Sequence, residues 1–398
     1  MRVALIRALS IVAALSAEPL DKLIPDGPKD RFSQEATLPI LTILANGMLA
    51  VATFSLGVMV SSHRTSAEQA TPRIHRLLME DTTTQSMLAT FIGAFVFSLC
   101  AIILFRAGYY SQSAAVIVFV ATVLVVLAVV VSLIRWIGQL TRIGSIEYAL
   151  DRAEGAARET LQATLNTPCL GGVCANGTHP GPDGFSEFRA ESSGFLCRVD
   201  MERLQAAADK HDGQVHLAVQ MGDRILEKQA LGWASTTIPE GKLATCFVLK
   251  ASRSVMQDPR YAIMILREAA SKALSPGIND QGTALEVIAR IERVLWDLGG
   301  EPTETEALYP NVYVPGLPAA TLPIDAFRTL ARDGAQYGDV LESLVSAVAR
   351  LSERRNVLDR DTANELLQEI QAHGLSALRT EGEKERLRTC IRQAGVID

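Results

Sequence analysis

The sequence predicts a membrane protein with two different parts: an all-α N-terminal part made of transmembrane helices, and a cytoplasmic α+β region. Three observations predict this fold class. The first third contains long stretches without charged residues, a middle segment has the alternating pattern of short strands, and the last third repeats apolar residues at helical spacing. The chain has 398 residues and is 48% hydrophobic. Its mean hydropathy of +0.18 is high for a soluble protein.

Three uncharged stretches are long enough to cross a bilayer, for which a helix needs roughly 20 apolar residues. They have 27, 24 and 28 residues and occupy 36–62, 82–105 and 107–134. Because a lipid-exposed backbone must satisfy its own hydrogen bonds, each is predicted to be a helix. The predicted transmembrane domain, 38–134, contains helices at 39–61, 86–106 and 113–134, and the last two form a hairpin.

The N-terminal segment 1–20 is apolar but short. Its apolar part from Val3 to Ala17 is interrupted by Arg7, and it ends in small residues. These features fit a signal peptide or a short fourth transmembrane helix, and both interpretations stay open.

Positive charge is unevenly distributed around the spans. The 108–112 link has no Lys or Arg, whereas basic residues lie in the 62–85 loop and after the third span: Arg64, Arg73, Arg76, Arg135, Arg142, Arg152 and Arg158. Because cytoplasmic loops are enriched in Lys and Arg, the large C-terminal part is predicted to be cytoplasmic. Lys22, Lys29 and Arg31 would lie on the opposite side, against this rule.

The third span is predicted to continue as an amphipathic stalk helix over 135–166. Apolar residues recur there at helical spacing: Ile146, Leu150, Ala153, Ala157, Leu161 and Leu165. A Gly- and Pro-rich loop from Thr167 to Gly184 is predicted to separate this stalk from the next domain.

The same loop contains a C-x4-C-x4-H array formed by Cys169, Cys174 and His179. Thiolate and imidazole groups are natural zinc ligands, but no fourth ligand is evident nearby. We therefore expect reduced thiols without a bound metal. The six cysteines of the chain do not have the pattern of a disulfide framework.

Residues 190–252 are predicted to form a small β module. Strands are expected at 193–199 and 215–219, with a helix at 201–210 between them and a turn at 221–225 leading into another strand. The layout resembles the barrel-sandwich of biotinyl and lipoyl carrier domains and of membrane-fusion adaptors. The modifiable lysine of a carrier domain is absent from the expected hairpin tip, so a structural adaptor domain is predicted.

Residues 253–398 are predicted to form a helical domain. Asp258 and Pro259 supply an N-cap and a first-turn proline for a helix through Leu274, and a second helix runs from Asp280 to Leu298. A stripe at helix-packing spacing is predicted to be core: Tyr337, Leu341, Leu344, Val348 and Leu351. Helices near 361–373 and 381–393 complete a C-terminal helical bundle.

Two stretches of this region match a known family. They are Gln257-Asp258-Pro259-Arg260-Tyr261-Ala262 and Lys272-Ala273-Leu274-Ser275-Pro276-Gly277-Ile278-Asn279-Asp280, and Phe91-Ile92-Gly93-Ala94-Phe95-Val96 supports the match upstream. With them the chain resembles the bacterial predicted membrane proteins of domain of unknown function 2254. The resemblance implies a multi-pass protein of the bacterial inner membrane and brings no established activity.

The family-motif turn has two interpretations. Its polar and turn-forming residues are Asp258, Pro259, Ser275, Pro276, Gly277, Asn279 and Asp280. Asn279 and Asp280 would suit a cation or a polar ligand; alternatively, Asp280 caps the next helix and the turn sets the angle between two helices. The structural interpretation is favoured because capping explains the polar residues without a ligand.

The first long span has one small and polar face. Its members follow spacings of 4, 4, 3, 4 and 4: Thr42, Asn46, Ala50, Thr53, Gly57 and Ser61. Small and hydroxyl-bearing residues let helices approach closely, so the face fits helix packing. It also fits the lining of a polar pathway in an oligomer, because three helices alone cannot enclose a pore. Both interpretations stay open.

Charge and motif content argue against several function classes. Residues 135–398 contain 29 Lys and Arg against 36 Asp and Glu, a net charge of −7, which opposes nucleic-acid binding. The spans contain no ionisable residue, which argues against proton coupling. Nucleotide-binding, dinucleotide-binding, zinc-protease and serine-hydrolase motifs are absent from the sequence. We therefore expect that the protein is not an enzyme and needs no cofactor or metal.

Two functions are then in competition. The leading hypothesis is an oligomeric channel or permeation-regulating protein whose cytoplasmic domains serve gating or assembly. The alternative is a membrane-anchored adaptor or sensor without conduction. In both, the expected partners are the lipid bilayer and further copies of the chain as a homo-oligomer.

Overall fold

The computed structural model describes residues 34–69, 71–79, 82–140, 145–175, 184–299, 306–317, 320–354 and 356–395. Three sequence predictions fall outside these residues: the signal-like segment 1–20, the basic residues Lys22, Lys29 and Arg31, and His179 of the cysteine–histidine array. By its internal contacts the chain divides into Met1–Ala149, called here the membrane unit, and Leu150–Asp398, called the second unit.

The described part of the membrane unit is helical. Its helices are α1 (Gln34–Gln69), α2 (Pro72–Met79), α3 (Thr82–Arg106) and α4 (Gln112–Leu140). Three stretches of these helices are long and apolar enough to cross a membrane: Thr37–Ser61, Ser86–Arg106 and Ala114–Gln139. The three helices predicted from the uncharged runs are therefore present.

Helices α1, α3 and α4 pack through apolar side chains. One cluster joins Leu41 of α1 to Phe97 of α3 and Val118 of α4. Other large apolar side chains, such as Ile43 and Ile134, lie on the outside of the unit. Because lipid tails are as apolar as these side chains, such a surface suits a bilayer.

A tight link joins α3 to α4. After Arg106, Gly108 has a left-handed φ of 68°, and the N–H of Tyr109 donates to the Leu104 carbonyl oxygen at 3.0 Å. A left-handed residue after a helix favours glycine because glycine has no Cβ. Gly108 therefore lets the chain reverse within the few residues predicted for the hairpin.

The stalk predicted at 135–166 is not one described helix. α4 ends at Leu140, and α5 (Ile146–Asn166) begins after Ser145. The Ser145 hydroxyl oxygen accepts a hydrogen bond from the Tyr148 N–H at 3.1 Å, which is the geometry of a helix cap. Apolar periodicity reports which face of a helix is buried and does not reveal such a new start.

Two open β-sheets form the centre of the second unit. A five-stranded sheet has the order β1-β8-β4-β6-β2, and a three-stranded sheet has the order β5-β3-β7. The strands are β1 (Gly172–Ala175), β2 (Phe185–Arg189), β3 (Gly194–Val199), β4 (Val215–Leu217), β5 (Arg224–Ile225), β6 (Ala230–Ser235), β7 (Phe247–Lys250) and β8 (Tyr309–Pro315). Strand β8 runs parallel to both β1 and β4, and the other pairings are antiparallel.

This topology corrects the predicted barrel-sandwich, because the described strands do not close into a barrel. The larger sheet takes strands β1, β2 and β8 from outside the 190–252 segment that showed the alternating pattern. β8 also lies inside the 253–398 segment predicted to be helical. A strand's alternation is local, whereas its partner can come from any part of the chain, so the pattern did not show these pairings.

Both sheets share one apolar core with helix α6 (Met201–Lys210). Its buried members include Phe188, Leu196, Leu204, Leu231 and Val312. The Asp200 side chain caps α6 by accepting a hydrogen bond from the Arg203 N–H at 3.2 Å. A one-turn helix, α7 (Glu240–Leu243), precedes β7.

The remaining helices of the second unit flank β8 along the chain. They are α8 (Pro259–Ala273), α9 (Gln281–Trp296), α10 (Thr321–Asp333), α11 (Gly338–Ser352), α12 (Arg360–Ala377) and α13 (Glu381–Gln393). The stripe predicted on α11 is buried against helices of the same chain at Leu341, Leu344, Val348 and Leu351. The prediction that this stripe is core is confirmed for these four residues, whereas Tyr337 precedes α11 as its N-cap and is only half-buried.

A buried arginine fastens α5 to α9. The Arg290 side chain is 8% exposed and its guanidinium contacts Asp151 at 2.7 Å, Glu154 at 2.9 Å and Glu286 at 2.6 Å. Arg293 also contacts Glu154, at 3.0 Å. Charge-assisted hydrogen bonds of this kind are directional, so they hold α5 in a defined position within the second unit.

Candidate functional site

A cavity of about 530 Å³ lies in the second unit between α5, the start of α8 and the ends of β4 and β8. Ligand sites typically have volumes of roughly 300–1,000 Å³. Most of the wall is apolar and includes Leu165, Leu217, Val219, Met221 and Val314. The cavity therefore has the size and the lining of a small-molecule site.

Two threonines of α5, and a third directly after this helix, add to the apolar character of this wall. Thr160, Thr164 and Thr167 all line the cavity. Their hydroxyl groups donate to backbone carbonyls of α5, and Thr160 also donates to the Val255 carbonyl oxygen at 2.7 Å. Because the hydroxyl protons are already used, these side chains offer a ligand mainly methyl groups.

The first half of the family motif forms one end of the cavity. Asp258 is 1% exposed and caps α8, where its carboxylate accepts a hydrogen bond from the Tyr261 N–H at 3.0 Å. Arg253 binds both carboxylate oxygens, at 2.8 and 2.9 Å. Burial raises the pKa of Asp258, whereas the Arg253 charge and the Tyr261 N–H act in the opposite direction. The carboxylate is thus fully engaged by protein groups.

Gly222 makes room for this charged pair. It has a left-handed φ of 84°, and a Cβ at this position would overlap the Asp258 carboxylate and approach Arg253 Nη2 to 2.5 Å. The turn that contains it is closed by the Gln220 N–H, which donates to Asp223 at 2.8 Å. Only a residue without a side chain fits here without displacing the pair.

Gln257 and Arg260 supply hydrogen-bond donors at the same end of the cavity. The Gln257 side-chain oxygen accepts a hydrogen bond from the Val199 N–H at 3.1 Å, and Arg260 Nε donates to Asp325 at 2.7 Å. The Gln257 amide nitrogen and the two terminal nitrogens of Arg260 make no hydrogen bond with another described residue. They are available to an acceptor atom of a ligand.

A disulfide between Cys169 and Cys174 borders the cavity. This corrects the expectation of reduced thiols in the 167–184 loop. The loop reverses between α5 and β1 and brings the two Cα atoms to 5.4 Å, within the range a disulfide requires. Sulfurs joined in a disulfide are not thiolate ligands, so the predicted C-x4-C-x4-H array cannot bind zinc in this state. Spacing along the chain did not indicate the reversal.

The second half of the family motif lies at the other end of α8. Asp280 caps α9 by accepting from the Thr283 N–H at 3.0 Å and from its hydroxyl at 2.6 Å. Asn279, with a left-handed φ of 55°, accepts from the Tyr337 hydroxyl at 2.5 Å. The α8 helix of 15 residues, about 22 Å long, separates this turn from Asp258. The two halves of the motif therefore do not form one site.

The turn itself is closed by its own backbone. Ser275 donates through its hydroxyl to the Lys272 carbonyl oxygen at 2.6 Å and accepts backbone hydrogen bonds from residues 278 and 279. Pro276 and Gly277 are exposed at its tip. None of these residues lines the cavity.

The small polar face of the first span points away from the described core of the membrane unit. Its residues Thr42, Asn46, Thr53, Gly57 and Ser61 are all exposed, and α1 instead packs through Leu41, Leu44, Ala45 and Met48. Thr42 and Thr53 donate to carbonyls of their own helix. The Asn46 amide makes no hydrogen bond with another described residue. Packing among the described helices of the membrane unit therefore does not account for this face.

Sequence reasoning missed several residues of the cavity. The sequence around Gly222 predicted a turn. A turn pattern does not indicate which distant side chain, here Asp258, the turn will contact. Arg253 lies five residues before its partner Asp258, and no short motif pairs them. Gln220 reaches the cavity and donates to the Gly316 carbonyl oxygen at 3.0 Å, a contact that joins distant parts of the chain.

Comparison with known proteins yields a family and no activity. The family model described as Predicted membrane protein (DUF2254) matches residues 1–350. Uncharacterised proteins of Mycobacterium bovis and Mycobacterium tuberculosis are each 22% identical over 311 residues, which cover 72% of this chain and 56% of theirs. The chain thus spans about half the length of these curated relatives. No solved structure matches it.

Proposed function

The chain belongs to the family described as Predicted membrane protein (DUF2254), and from this premise we propose that it is a membrane-anchored sensor whose second unit binds an apolar small molecule. The resemblance found in the sequence is confirmed, and the family description brings no ligand. The cavity supports the sensor, because the family-motif residues Gln257, Asp258, Pro259 and Arg260 line a space of ligand size. Capping of α8 requires only Asp258 and Pro259. The hydrogen-bond donors of Gln257 and Arg260 are not needed for the cap and are available to a ligand.

Binding without catalysis fits the charged groups of the cavity. A general base needs a carboxylate that can take a proton from substrate. The Asp258 carboxylate is held by Arg253 and by the Tyr261 N–H, and the Arg260 guanidinium is tied to Asp325. These side chains can orient a ligand and have no free partner with which to move a proton.

The lining defines the ligand class. Leucine, valine and methionine side chains and the methyl groups of the α5 threonines fit an apolar body. The Gln257 amide nitrogen and the terminal nitrogens of Arg260 fit one acceptor oxygen at its end. The ligand is therefore a largely apolar molecule with a carbonyl, hydroxyl or similar acceptor group.

Helix α5 provides the route to the membrane along the chain. It lines the cavity through Thr160, Ala163 and Thr164, and it begins at Ile146, shortly after the last candidate span ends at Gln139. A ligand that alters the position of α5 would act on the segment that leads directly to that span.

Photolabelling with benzophenone tests the sensor. This apolar ketone has one acceptor oxygen and, under near-ultraviolet light, reacts well with methionine side chains. Full-length protein in detergent is expected to show saturable adducts at Met221 and Met256, which line the cavity, and not at Met264. Thr164→Trp fills the cavity and should raise the half-saturating concentration about tenfold.

Glu159→Trp is the matched control, because Glu159 lies on the same helix but is exposed and does not line the cavity. Its labelling should equal that of the parent protein. Labelling at Met221 and Met256 that does not saturate, or that Thr164→Trp leaves unchanged, contradicts the sensor.

The exposed polar face of α1 favours a second candidate, an oligomer that conducts or regulates permeation. Asn46 lies near the middle of the span Thr37–Ser61 and is exposed. An amide without partners in hydrocarbon costs up to several kcal/mol. A second copy of α1 or a water-filled pathway would satisfy it, and interhelical hydrogen bonds of this type support helix association.

Ion flux into vesicles tests the second candidate. If the face lines a pathway, Asn46→Leu should suppress flux while the oligomer stays intact, because an apolar side chain favours dewetting. If the face packs helices, the same change should weaken assembly. Ile43→Leu, on an outward apolar position, should change neither. Verified oligomers of the parent protein without flux for any small ion tested would leave only the sensor.

A further inference from the structure

We propose that the Cys169–Cys174 disulfide is a reversible thiol–disulfide switch that sets the shape of the cavity wall. The proposal deepens the sensor function and rests on it for its consequence. Both sulfur-bearing residues line the cavity. Cys169 lies in the short turn Pro168–Gly171 that follows α5, and Cys174 lies in β1, so the bond ties this turn of the cavity wall to the strand that follows it.

The bond is accessible to a reductant. Cys174 is exposed, and Cys169 is only partly covered. The other cysteines of the second unit differ: Cys197 and Cys246 are buried, Cys390 is partly covered, and burial raises the pKa of all three thiols. Because the thiolate is the reactive form, these buried thiols are poor participants in exchange.

The backbone closed by the bond is in an uncommon conformation. Cys169 has φ of 51° and Leu170 has φ of 58°, and Gly171 follows with φ of 82°. Non-glycine residues rarely adopt left-handed conformations in succession. The disulfide holds the two ends of this segment together, so opening it allows Cys169 and Leu170 to return to ordinary backbone regions.

Strand β1 is the element that such a change would move. It has four residues, lies at the edge of its sheet among the described strands and pairs with β8, with an irregular register between Gly172 and Val173. A Cβ at Gly172 would lie 2.5 Å from the Val312 carbonyl oxygen, so the strand is closely docked. A short edge strand has few hydrogen bonds to resist release once its disulfide to the preceding turn is opened.

The predicted location of the second unit agrees with a regulatory bond. The distribution of Lys and Arg predicts a cytoplasmic second unit. Disulfides in that compartment are usually transient or redox-sensing, whereas structural disulfides belong to oxidising compartments. An exposed, locally formed disulfide at the wall of a cavity fits the first group.

The chemistry is ordinary thiol–disulfide exchange with a dithiol reductant. One thiolate of the reductant attacks the exposed Cys174 sulfur, the sulfur–sulfur bond breaks, and Cys169 leaves as a thiolate that takes a proton. The second thiol of the reductant then closes its own disulfide and releases Cys174 as a thiol. Two electrons and two protons pass to the protein, and the dithiol is oxidised to a disulfide.

Three measurements on full-length protein, before and after dithiothreitol, test the switch. Maleimide labelling read by mass spectrometry should modify Cys169 and Cys174 only after reduction. Hydrogen exchange of Gly172–Ala175 should become about tenfold faster, with β6 unchanged. The benzophenone concentration that half-saturates Met221 and Met256 should rise about tenfold, because the reduced wall is less ordered.

Two variants control these measurements. The double variant Cys169→Ser and Cys174→Ser should show the hydrogen exchange and the benzophenone labelling of the reduced protein, with or without dithiothreitol. Cys390→Ser removes a thiol distant in the chain, on α13, and should keep the full redox response.

The outcomes separate the switch from the sensor. Saturable benzophenone labelling that is equal in both redox states, or exchange of β1 that reduction leaves unchanged, overturns the switch and leaves the sensor in place. Absence of saturable labelling in both states overturns the sensor. In that case the hydrogen exchange alone decides whether the bond controls β1.

Discussion

Single residues at the cavity act mainly through what they allow their neighbours to do. Gly222 contributes no side chain, yet its left-handed turn lies where any Cβ would collide with the Asp258 carboxylate. Asp258 in turn caps α8 and binds Arg253. One backbone position thus decides whether the charged end of the cavity can form.

Gly222→Ala is expected to destabilise the second unit by about 2 kcal/mol or more, because it adds both a steric overlap and a strained backbone conformation. Urea unfolding in mild detergent measures this cost. Gly277→Ala is the matched control, since a Cβ there would meet no atom within 4 Å. A Gly222→Ala protein as stable as the control would show that the turn can relax.

Asp280 offers a second test at the same scale. Asp280→Ala should cost about 1 kcal/mol of stability through loss of the α9 cap, whereas Asp280→Asn should retain most of it, because asparagine also caps helices. Thermal unfolding compares the two variants. Equal stability of Asp280→Ala and the parent, together with loss of a cation-induced shift in melting temperature, would favour the ligand-site interpretation of Asn279 and Asp280.

At the scale of elements, α5 is decisive because it forms one wall of the cavity and follows the last span along the chain. Its position in the second unit depends on the Arg290 network with Asp151 and Glu154. Apolar periodicity identified the buried face of α5 without indicating this buried charge.

Arg290→Met is expected to destabilise the second unit by about 3 kcal/mol, because it leaves carboxylates of α5 without their buried partner. Arg328→Met removes a more exposed ion pair with Glu369 and should cost less than about 1 kcal/mol. Urea unfolding distinguishes them. Similar costs for both variants would show that the buried network does not fasten α5.

Acid should weaken the contact between Glu154 of α5 and the arginines that surround it. Burial raises the pKa of Glu154, but hydrogen bonds and charge from Arg293, Arg158 and Arg290 outweigh it and hold this pKa below its ordinary value of 4.5. The stabilisation is therefore present above the unfolded-state pKa and is lost as pH falls through the lower folded-state pKa. Unfolding measured from about pH 5 down to pH 3 should show this loss, and Glu154→Gln should flatten it. A parent whose slope equals that of Glu154→Gln would contradict the assignment.

At the scale of the whole molecule, two signals bear on orientation. The basic residues around the spans favour a cytoplasmic second unit. The disulfide favours an oxidising compartment unless it is a redox-sensing bond. The two signals agree only if the disulfide is a regulatory bond in a cytoplasmic second unit. A test of the orientation is therefore also a test of the proposed switch.

Cysteine labelling of intact spheroplasts decides the orientation. In a variant without native cysteines, a membrane-impermeant maleimide should reach Gln112→Cys, at the start of α4, and should not reach Ser192→Cys in the second unit. Permeabilised cells provide the control, because Ser192 is exposed and should then react. Labelling of Ser192→Cys in intact cells would reverse the predicted topology and make the disulfide structural.

Much of the fold was predictable because its signals are local. Uncharged runs indicated the three spans, Gly108 marked the hairpin, and Asp258 and Asp280 were recognisable as caps before their helices. The stripe on α11 has the spacing of a core face and is buried as expected. In each case the residues that decide the structure lie within a few turns of one another.

The cavity and its chemistry depended on contacts between distant residues. The sequence by itself indicated the three spans, the capped starts of α8 and α9 and the core face of α11, but not the separate start of α5. Only the tertiary structure decided that β8 pairs with β4, that Gly222 admits Asp258, that Cys169 meets Cys174, and that Asn46 faces outward. Local patterns encode the conformation of a segment, whereas these features arise when segments far apart in the chain bury surface against one another, and no short pattern specifies the partner.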